Sequence, residues 1–236
     1  MVNAKEAAGR AAVDALVKDG MKIGLGTGST AICAVRYIGA LINEGKLKNI
    51  LAVPTSFQTS IECEKLGIPL YSLNSKQIAG RLDLSIDGAD EVDGENRLIK
   101  GGGAAHLLEK IVAYSSSAYA VVVDESKIVK TLGLNFPVPL ELVPEARMSV
   151  SLALQKFGCE AVIREAVRKA GPVISDHGNL IFDLHFKTPF DPSSLEYELN
   201  RIPGIVENGL FANFPDYNIH PVIFIAHADG TVIRRD

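Results

Sequence analysis

The sequence predicts an α/β fold, in which a mostly parallel sheet is flanked by helices and a smaller α+β domain is inserted. Short apolar segments alternate with segments of helical periodicity over the first half of the 236 residues. Glycines and prolines stand at the junctions between these segments. The content of 47% hydrophobic and 22% charged residues is ordinary for a globular domain that forms a large core.

Local signals place each element of the first half in order. Gly20 ends the first helix, Ser29 is a candidate N-cap for the second, and Pro54 ends the second strand. The predicted helices cover residues 4–18, 31–43, 57–66 and 104–115. The predicted strands cover residues 21–26, 49–53, 69–73, 82–86, 97–100 and 119–123.

The pattern changes after residue 132, where Pro137, Pro139 and Pro144 mark a break. A helix over 145–157, strands over 161–164 and 180–186, and a helix after Asp191-Pro192 follow. The last strands, 222–226 and 231–234, are expected to rejoin the first sheet. We therefore expect one α/β domain from 1–132 and 205–236, with a small α+β domain over 133–204 inserted in it.

Composition and charge exclude several classes of function. The net charge of -4 and the lack of a Lys or Arg run give no basis for nucleic-acid binding. No apolar run reaches the roughly 20 residues that span a bilayer, and no signal peptide begins the chain. The odd, scattered cysteines Cys33, Cys63 and Cys159 predict reduced and mostly buried thiols. We expect a cytoplasmic protein without membrane or nucleic-acid partners.

The glycine-rich turn at 24–30, GLGTGST, lies between a predicted strand and a predicted helix. Backbone N–H groups, the helix N-terminus and the hydroxyls of Ser29 and Thr30 suit a phosphate. The turn lacks the lysine of a Walker loop and has Ser29 where a dinucleotide fingerprint needs glycine. The alternative is a plain strand–helix junction.

An acidic turn, DGADEVD, follows the apolar strand that ends near residue 86. Ligands bind at the carboxyl ends of parallel strands, which favours a binding role for this turn. Two alternatives remain open. One is a solvated turn, and the other is a cation site, although the spacing does not match a calcium loop.

A triple-glycine turn, KGGGAA at 100–105, precedes the fourth helix. Three successive glycines indicate close approach of the backbone to a ligand, and Lys100 can stabilise a developing oxyanion. Glu109 shares a helix face with Ala105 and Val112, which makes it a candidate for proton transfer. The alternative is a surface glutamate paired with a lysine. We expect His106 to be structural.

A fourth motif, DESK at 124–127, ends the β-branched strand before it. It delivers Lys127 at the carboxyl end of that strand. Taken alone, this residue reads as a surface lysine.

Together and in this order, the motifs resemble those of the ribose-5-phosphate isomerase A family. The matching strings are GTGST at 26–30, DGADEVD at 87–93, KGGGAA at 100–105 with Glu109-Lys110, DESK at 124–127, VPEAR at 143–147 and PGIVENGLF at 203–211. The resemblance implies a Rossmann-like sheet with a small α+β domain. It also implies a homo-oligomer, dimer or tetramer, that uses no metal or other cofactor.

The resemblance further implies interconversion of ribose 5-phosphate and ribulose 5-phosphate through an enediolate, in the non-oxidative pentose phosphate pathway. Glu109 would be the proton acceptor. Lys100 would stabilise charge, and Asp87 is our choice for the second acid/base. The implied substrate-binding residues are Thr27, Gly28, Ser29, Thr30, Asp87, Gly88, Ala89, Asp90, Lys100, Gly101, Gly102, Gly103 and Lys127. In some members an early lysine holds phosphate, for which Lys5 is the candidate here.

Two other functions remain as alternatives. One is a related sugar-phosphate isomerase or deaminase acting on an amino sugar. The other is a non-catalytic sensor of sugar phosphates, against which the absence of a basic region or DNA-binding helix pair argues.

Overall fold

Residues 3–236 are described by a computed structural model, and the chain divides into two units. The first unit comprises the chain up to Ala89, Leu108–Lys127 and Phe214–Asp236. The second comprises Asp90–Leu107 and Ile128–Asn213. The second unit is therefore larger than the expected 133–204 domain. Its additional strands explain the difference, because Ile99 and Leu210 pack in the same core as Leu140 and Phe182.

A six-stranded sheet with the order β13-β12-β6-β3-β1-β2 is the centre of the first unit. Its strands are β1 (Lys22–Leu25), β2 (Leu51–Pro54), β3 (Leu84–Asp87), β6 (Tyr119–Asp124), β12 (Val222–Ala226) and β13 (Val232–Arg235). All neighbours pair in parallel except β12 and β13, which form an antiparallel edge. The interior strands are buried along almost their whole length, as both faces of a parallel sheet require.

Four helices accompany this sheet: α1 (Ala4–Leu16), α2 (Ala31–Asn43), α3 (Phe57–Leu66) and α4 (His106–Tyr114). The Asn3 side chain caps α1 by accepting the Lys5 N–H, and Ser56 caps α3 by accepting the Thr59 N–H. The N-cap of α2 is Thr30 rather than the expected Ser29, and its side chain makes no capping hydrogen bond. The core of the unit joins apolar residues of α1, α2 and the sheet.

The second unit contains two antiparallel sheets. One has the order β10-β7-β9-β8, from β7 (Val138–Leu142), β8 (Glu160–Ile163), β9 (Leu180–His185) and β10 (Ile205–Asn208). The other has the order β11-β5-β4, from β4 (Glu91–Val92), β5 (Leu98–Ile99) and β11 (Leu210–Phe211). The helices α5 (Arg147–Leu154) and α6 (Pro192–Leu199) complete the unit.

Several predicted elements differ from the structure. The strand expected at 69–73 is only a single bridge between Ala52 and Leu70. The strand expected at 97–100 is β5, which pairs antiparallel with β4 and β11 rather than joining the parallel sheet. The helix expected at 145–157 is α5 with a short 3-10 turn at each end. The prediction also lacked β7, because the sequence was interpreted as a break at its prolines.

Candidate active site

Three neighbouring parallel strands of the first unit end in predicted motifs. The strand β1 leads into GTGST, β3 ends at Asp87, and β6 leads into the DESK segment. These strands are adjacent in the order β6-β3-β1. From β1 the chain continues to β2 on one side, and β3 lies on the other side, so the strand order reverses between β1 and β3. This is the position at which open α/β sheets bind ligands.

Asp87 and Thr27 are joined directly at this edge. The Thr27 N–H donates to Asp87 Oδ1 at 3.0 Å, and the Gly88 N–H donates to the same oxygen at 2.7 Å. The Asp87 side chain is buried, and a Cβ on Gly26 would lie 2.1 Å from Oδ1. The glycine before the loop is therefore needed for the close approach of the carboxylate.

A cluster of hydroxyl groups surrounds the Thr27 side chain. Its Oγ1 lies 2.7 Å from Oγ1 of Thr55 and 2.7 Å from Oγ of Ser56. Thr59 Oγ1 donates to the Gly26 carbonyl oxygen at 2.7 Å, which ties α3 to the loop. These residues were not predicted as part of the site. The available signal was the run of hydroxyl residues directly after β2, Thr55 and Ser56.

Two N–H groups that we expected to be available for phosphate have protein acceptors. The Thr27 N–H donates to Asp87, and the Gly28 N–H donates to Gln58 Oε1 at 3.1 Å. The cationic part of the loop comes instead from α1, because Lys5 Nζ donates to Ser29 Oγ at 2.8 Å. A cation and an exposed hydroxyl thus meet before the N-terminus of α2, which is suitable for an anion.

Glu109 lies in the first turn of α4, and only 5% of the residue is exposed. The same helix packs closely on β1 one turn later, where a Cβ on Gly24 would lie 2.3 Å from Val112 Cγ1. Lys110 is also buried. The alternative reading of Glu109 as a surface residue in an exposed ion pair is therefore wrong.

Lys127 is half-buried at the end of a 3-10 turn, Glu125–Lys127, that follows β6. Glu125 connects this turn to the hairpin between β12 and β13. Its Oε2 lies 2.7 Å from His227 Nδ1, and its Oε1 accepts the Ala228 N–H at 3.2 Å. The hydrogen bond with His227 lowers the pKa of Glu125. The backbone that carries Lys127 is thus held at both the strand and the turn.

In the second unit, Lys100 is 2% exposed at the end of β5. Its N–H donates to the Gly209 carbonyl oxygen at 2.9 Å, and its Nζ lies 5.7 Å from the centre of the Phe211 ring. An ammonium over an aromatic face is stabilised by the ring quadrupole. A buried lysine held in this way is suited to stabilising negative charge on a substrate oxygen.

The triple-glycine turn follows directly. Gly101 has a φ of +104°, and a Cβ there would lie 2.6 Å from Nδ1 of the fully buried His106. The Gly102 N–H donates to Asp90 Oδ2 at 2.8 Å, which brings together two predicted sugar-binding residues. The guanidinium of Arg164, which the sequence analysis did not assign, donates to the carbonyl oxygens of this turn.

The carboxylates of the acidic turn in the second unit have separate protein partners. Asp90 accepts the Gly102 N–H, Glu91 accepts the Gly133 N–H at 2.7 Å, and Asp93 accepts Arg97 Nε at 2.7 Å. Burial raises the pKa of Glu91, and the backbone N–H groups oppose that effect. Within residues 3–236, no three His, Cys, Asp or Glu side chains are grouped so as to hold a metal ion. The acidic turn is therefore neither a solvated loop nor arranged as a cation site.

Comparison with known proteins identifies the family. Residues 51–230 match the family described as ribose 5-phosphate isomerase A, or phosphoriboisomerase A. Ribose-5-phosphate isomerase A of Treponema denticola is 56% identical over 216 residues, which cover 91% of this chain and 88% of that protein. The chain belongs to the ribose 5-phosphate isomerase A family.

Solved structures agree with this membership. Ribose 5-phosphate isomerase A from Methanocaldococcus jannaschii has a TM-score of 0.89 and 43% identity, covering 99% of this chain and 98% of that one. A D-ribose-5-phosphate isomerase in complex with phospho-erythronic acid has a TM-score of 0.92 and 39% identity, covering 99% of this chain and 97% of that one. The expected family and the expected α/β fold class are confirmed.

The remaining predictions have different outcomes. Of the thiols, Cys63 is buried, and burial raises its pKa to about 12, whereas Cys33 and Cys159 are half-buried. In the part of the chain that the structure describes, no helix is both long and apolar enough to cross a membrane. The catalytic and substrate-binding roles of individual residues stay predictions.

Proposed function

We propose that the chain interconverts ribose 5-phosphate and ribulose 5-phosphate, with Glu109 as the base. The observation that carries this proposal is the burial of Glu109 in the first turn of α4, a few residues after the triple-glycine turn. Membership of the ribose 5-phosphate isomerase A family supports it. Isomerisation requires a carboxylate that removes a proton from one carbon and returns it to the next.

The proposed reaction starts from the open-chain aldose. Glu109 takes the proton from C2, and the resulting enediolate carries negative charge on O1. Glu109 then returns the proton to C1, O1 gains a proton and O2 loses one, which leaves the ketose. Lys100 and the Gly103 N–H stabilise the enediolate charge, while the Gly102 N–H holds Asp90.

In this proposal Asp87 moves the proton between O1 and O2 and assists ring opening. Its Oδ1 accepts the N–H groups of Thr27 and Gly88, which fix the orientation of the carboxylate. Asp90 orients a sugar hydroxyl. Gly88 and Ala89, between these acids, line the sugar.

The phosphate is proposed to bind at the loop from Thr27 to Thr30. The hydrogen bond between Lys5 Nζ and Ser29 Oγ supports this, because it adds a positive charge to the loop. Lys127 adds a second cation for the substrate. Phosphate binding far from C1 and C2 supplies binding energy that positions the reacting carbons.

Replacing Glu109 by Gln is the decisive test. The variant Glu109→Gln keeps the size of the side chain but cannot accept the proton. We expect turnover of ribose 5-phosphate to fall by roughly 10²–10⁴-fold while calorimetric binding of ribose 5-phosphate remains. The matched control is Glu64→Gln, an exposed glutamate on α3, which should turn over normally.

Three outcomes would count against the proposal. Normal turnover in Glu109→Gln would refute the mechanism. Binding without turnover in the parent would favour a sugar-phosphate sensor. Turnover of glucosamine 6-phosphate in preference to ribose 5-phosphate would favour an amino-sugar isomerase or deaminase.

A further inference from the structure

Arg164 and Asp183 form a two-pronged ion pair in the second unit. Arg164 directly follows β8, and Asp183 lies in the neighbouring strand β9. Arg164 Nε donates to Asp183 Oδ2 at 2.9 Å, and Arg164 Nη2 donates to Oδ1. Their side chains are only 15% and 18% exposed. Such parallel hydrogen bonds fix the plane of the guanidinium.

The third guanidinium nitrogen reaches the triple-glycine turn. Arg164 Nη1 donates to the carbonyl oxygen of Gly101 at 2.9 Å and to that of Gly102 at 3.1 Å. In a trans peptide the carbonyl and the following N–H point in opposite directions. The N–H groups of Gly102 and Gly103 are therefore directed away from the guanidinium.

The peptide between Gly101 and Gly102 is held at both ends. Its carbonyl accepts from Arg164, and its N–H donates to Asp90 Oδ2 at 2.8 Å. The Gly101 carbonyl oxygen also accepts the Ala104 N–H at 2.9 Å, which closes the turn. A donor on each carbonyl polarises the peptide and strengthens its N–H as a hydrogen-bond donor.

The turn needs such support because its own residues supply little. Three glycines have no side chains to pack, and Gly102 and Gly103 are exposed. Glycine backbone has the largest conformational freedom of any residue, so an unsupported turn would sample many N–H directions. The ion pair fixes this backbone from the side of its carbonyl groups.

We propose that Arg164, held by Asp183, is a positioning residue for the isomerisation. It fixes the backbone of the turn, in which the Gly102 N–H holds Asp90 and the Gly103 N–H is directed away from the guanidinium. Through the Gly103 N–H it contributes to the stabilisation of the enediolate. This role rests on the proposed function, since it assumes that the turn meets the sugar. Arg164 acts through the backbone and is not itself a catalytic residue.

The kinetic test uses Arg164→Lys, which retains the charge but cannot bridge Asp183 and two carbonyls at once. We expect kcat for ribose 5-phosphate to fall by roughly 10- to 100-fold, since small misplacement of donors is costly. Competitive inhibition by inorganic phosphate should be unchanged, because phosphate is assigned to the Thr27–Thr30 loop. Asp183→Asn retains Arg164 but weakens the ion pair that holds it. We expect this variant to show a smaller decrease in kcat than Arg164→Lys.

The matched control is Arg97→Lys. Arg97 also pairs with an aspartate, Asp93, through an Nε–Oδ2 contact of 2.7 Å in the same unit. Its guanidinium contacts the carboxylates of Asp93 and Glu95. We expect its kcat to stay within about twofold of the parent, since the same substitution alters an arginine–aspartate pair away from the triple-glycine turn.

A second readout does not depend on activity. In protein labelled with ¹⁵N-glycine, the amide resonances of Gly102 and Gly103 should shift and exchange faster with solvent in Arg164→Lys and Asp183→Asn. They should not change in Arg97→Lys. If the parent fails to isomerise ribose 5-phosphate, the proposed function is refuted, while these amides still test whether Arg164 orients the turn.

The proposal is overturned if Arg164→Lys and Asp183→Asn both retain kcat within twofold of the parent. Unchanged amides at Gly102 and Gly103 would overturn it equally. So would a loss of phosphate affinity in step with kcat, since that would indicate general damage to the fold.

Discussion

Gly26 and Asp87 approach each other so closely that a single methyl group between them would be a clash. A Cβ on Gly26 would lie 2.1 Å from Asp87 Oδ1 and 2.6 Å from its Cα, so neither side chain nor backbone of the aspartate could remain in place. The carboxylate that receives the Thr27 N–H is therefore positioned by the absence of a side chain in the preceding loop residue.

We predict that Gly26→Ala lowers the free energy of unfolding by about 1–3 kcal/mol, as overpacking of a buried site does. The activity toward ribose 5-phosphate should fall with it, because Asp87 is displaced. Gly94→Ala is the matched control, since a Cβ at Gly94 has no atom within 4 Å. Urea unfolding curves measure the free energy of unfolding of the two variants. Equal stability of the two variants would contradict the close approach.

At this scale the sequence predicted residue types better than residue contacts. The GTGST loop and Asp87 were recognisable as motifs, but nothing in the sequence indicates that Asp87 accepts the Thr27 N–H. The same holds for Gln58, which lies in α3 and whose carboxamide oxygen accepts the Gly28 N–H. Such partners lie about 30 or 60 residues apart in sequence and meet only through the parallel sheet.

The short strand β4 connects the acidic turn to a distant loop of the second unit. Its residue Glu91 is buried, and its Oε2 accepts the Gly133 N–H. Burial raises the pKa of Glu91, although hydrogen bonds from Gly133, Phe136 and Asn135 oppose that change. The folded protein therefore binds this proton more tightly than the unfolded chain does, so the contribution of Glu91 to stability decreases as the pH rises.

We predict that Glu91→Gln changes the pH dependence of stability. As the pH rises from about 4.5 through the raised pKa, the parent loses the contribution of this proton, and the variant has no such loss. The free energy of unfolding of the variant relative to the parent should therefore increase with pH. Urea unfolding at several pH values measures it. Parallel pH profiles for the variant and the parent would contradict this.

A suitable control for that experiment is Glu95→Gln. Glu95 lies four residues further on, and its side chain is 74% exposed in an ion pair with Arg97. The substitution Glu95→Gln removes the same formal charge as Glu91→Gln, but the carboxylate that it removes is exposed rather than buried. A matching pH effect in both variants would mean that charge alone, rather than burial, causes the change.

The helices and strands were predicted correctly where the apolar periodicity agreed with glycines and prolines at the ends of the element. The prediction failed for strands that are defined by their pairing with distant strands. The bounds of α2, α3 and β12 are those expected, since glycine, proline and apolar spacing mark their ends. The strand β7 contains Pro139, which reads locally as a breaker, yet it pairs with both β9 and β10. The strand β5 has two residues, and only its partners β4 and β11 define its sheet.

The whole molecule contains 28 Asp and Glu residues. Despite this number, the acidic side chains that the structure describes are not clustered as metal ligands. No group of three potential ligands able to hold a metal ion occurs within residues 3–236. In the acidic turn, Asp90 and Glu91 accept backbone N–H groups instead. In the proposed mechanism, Lys100 and backbone N–H groups stabilise the charge that develops during isomerisation.

We therefore predict that metal chelation leaves the reaction unaffected. Protein dialysed against EDTA should isomerise ribose 5-phosphate at the rate of the untreated protein, with lysine and N–H groups stabilising the enediolate. Addition of Mg²⁺ or Mn²⁺ to the dialysed protein serves as the control. If dialysis abolished activity and either ion restored it, the result would support the hypothesis that the acidic turn forms a cation site.

The division of the chain has a consequence for its synthesis. The chain passes between the two units at residues 89/90, 107/108, 127/128 and 213/214. The parallel neighbour of β6 on one side is β12, which belongs to the final segment, Phe214–Asp236. As the polypeptide emerges from the ribosome, β6 keeps one unpaired edge until the whole second unit, which ends at Asn213, has been translated. The six-stranded sheet is thus completed only after the second unit has been translated. A nascent chain stalled before Val222 would present the edge of β6 as a surface for aggregation or for a chaperone.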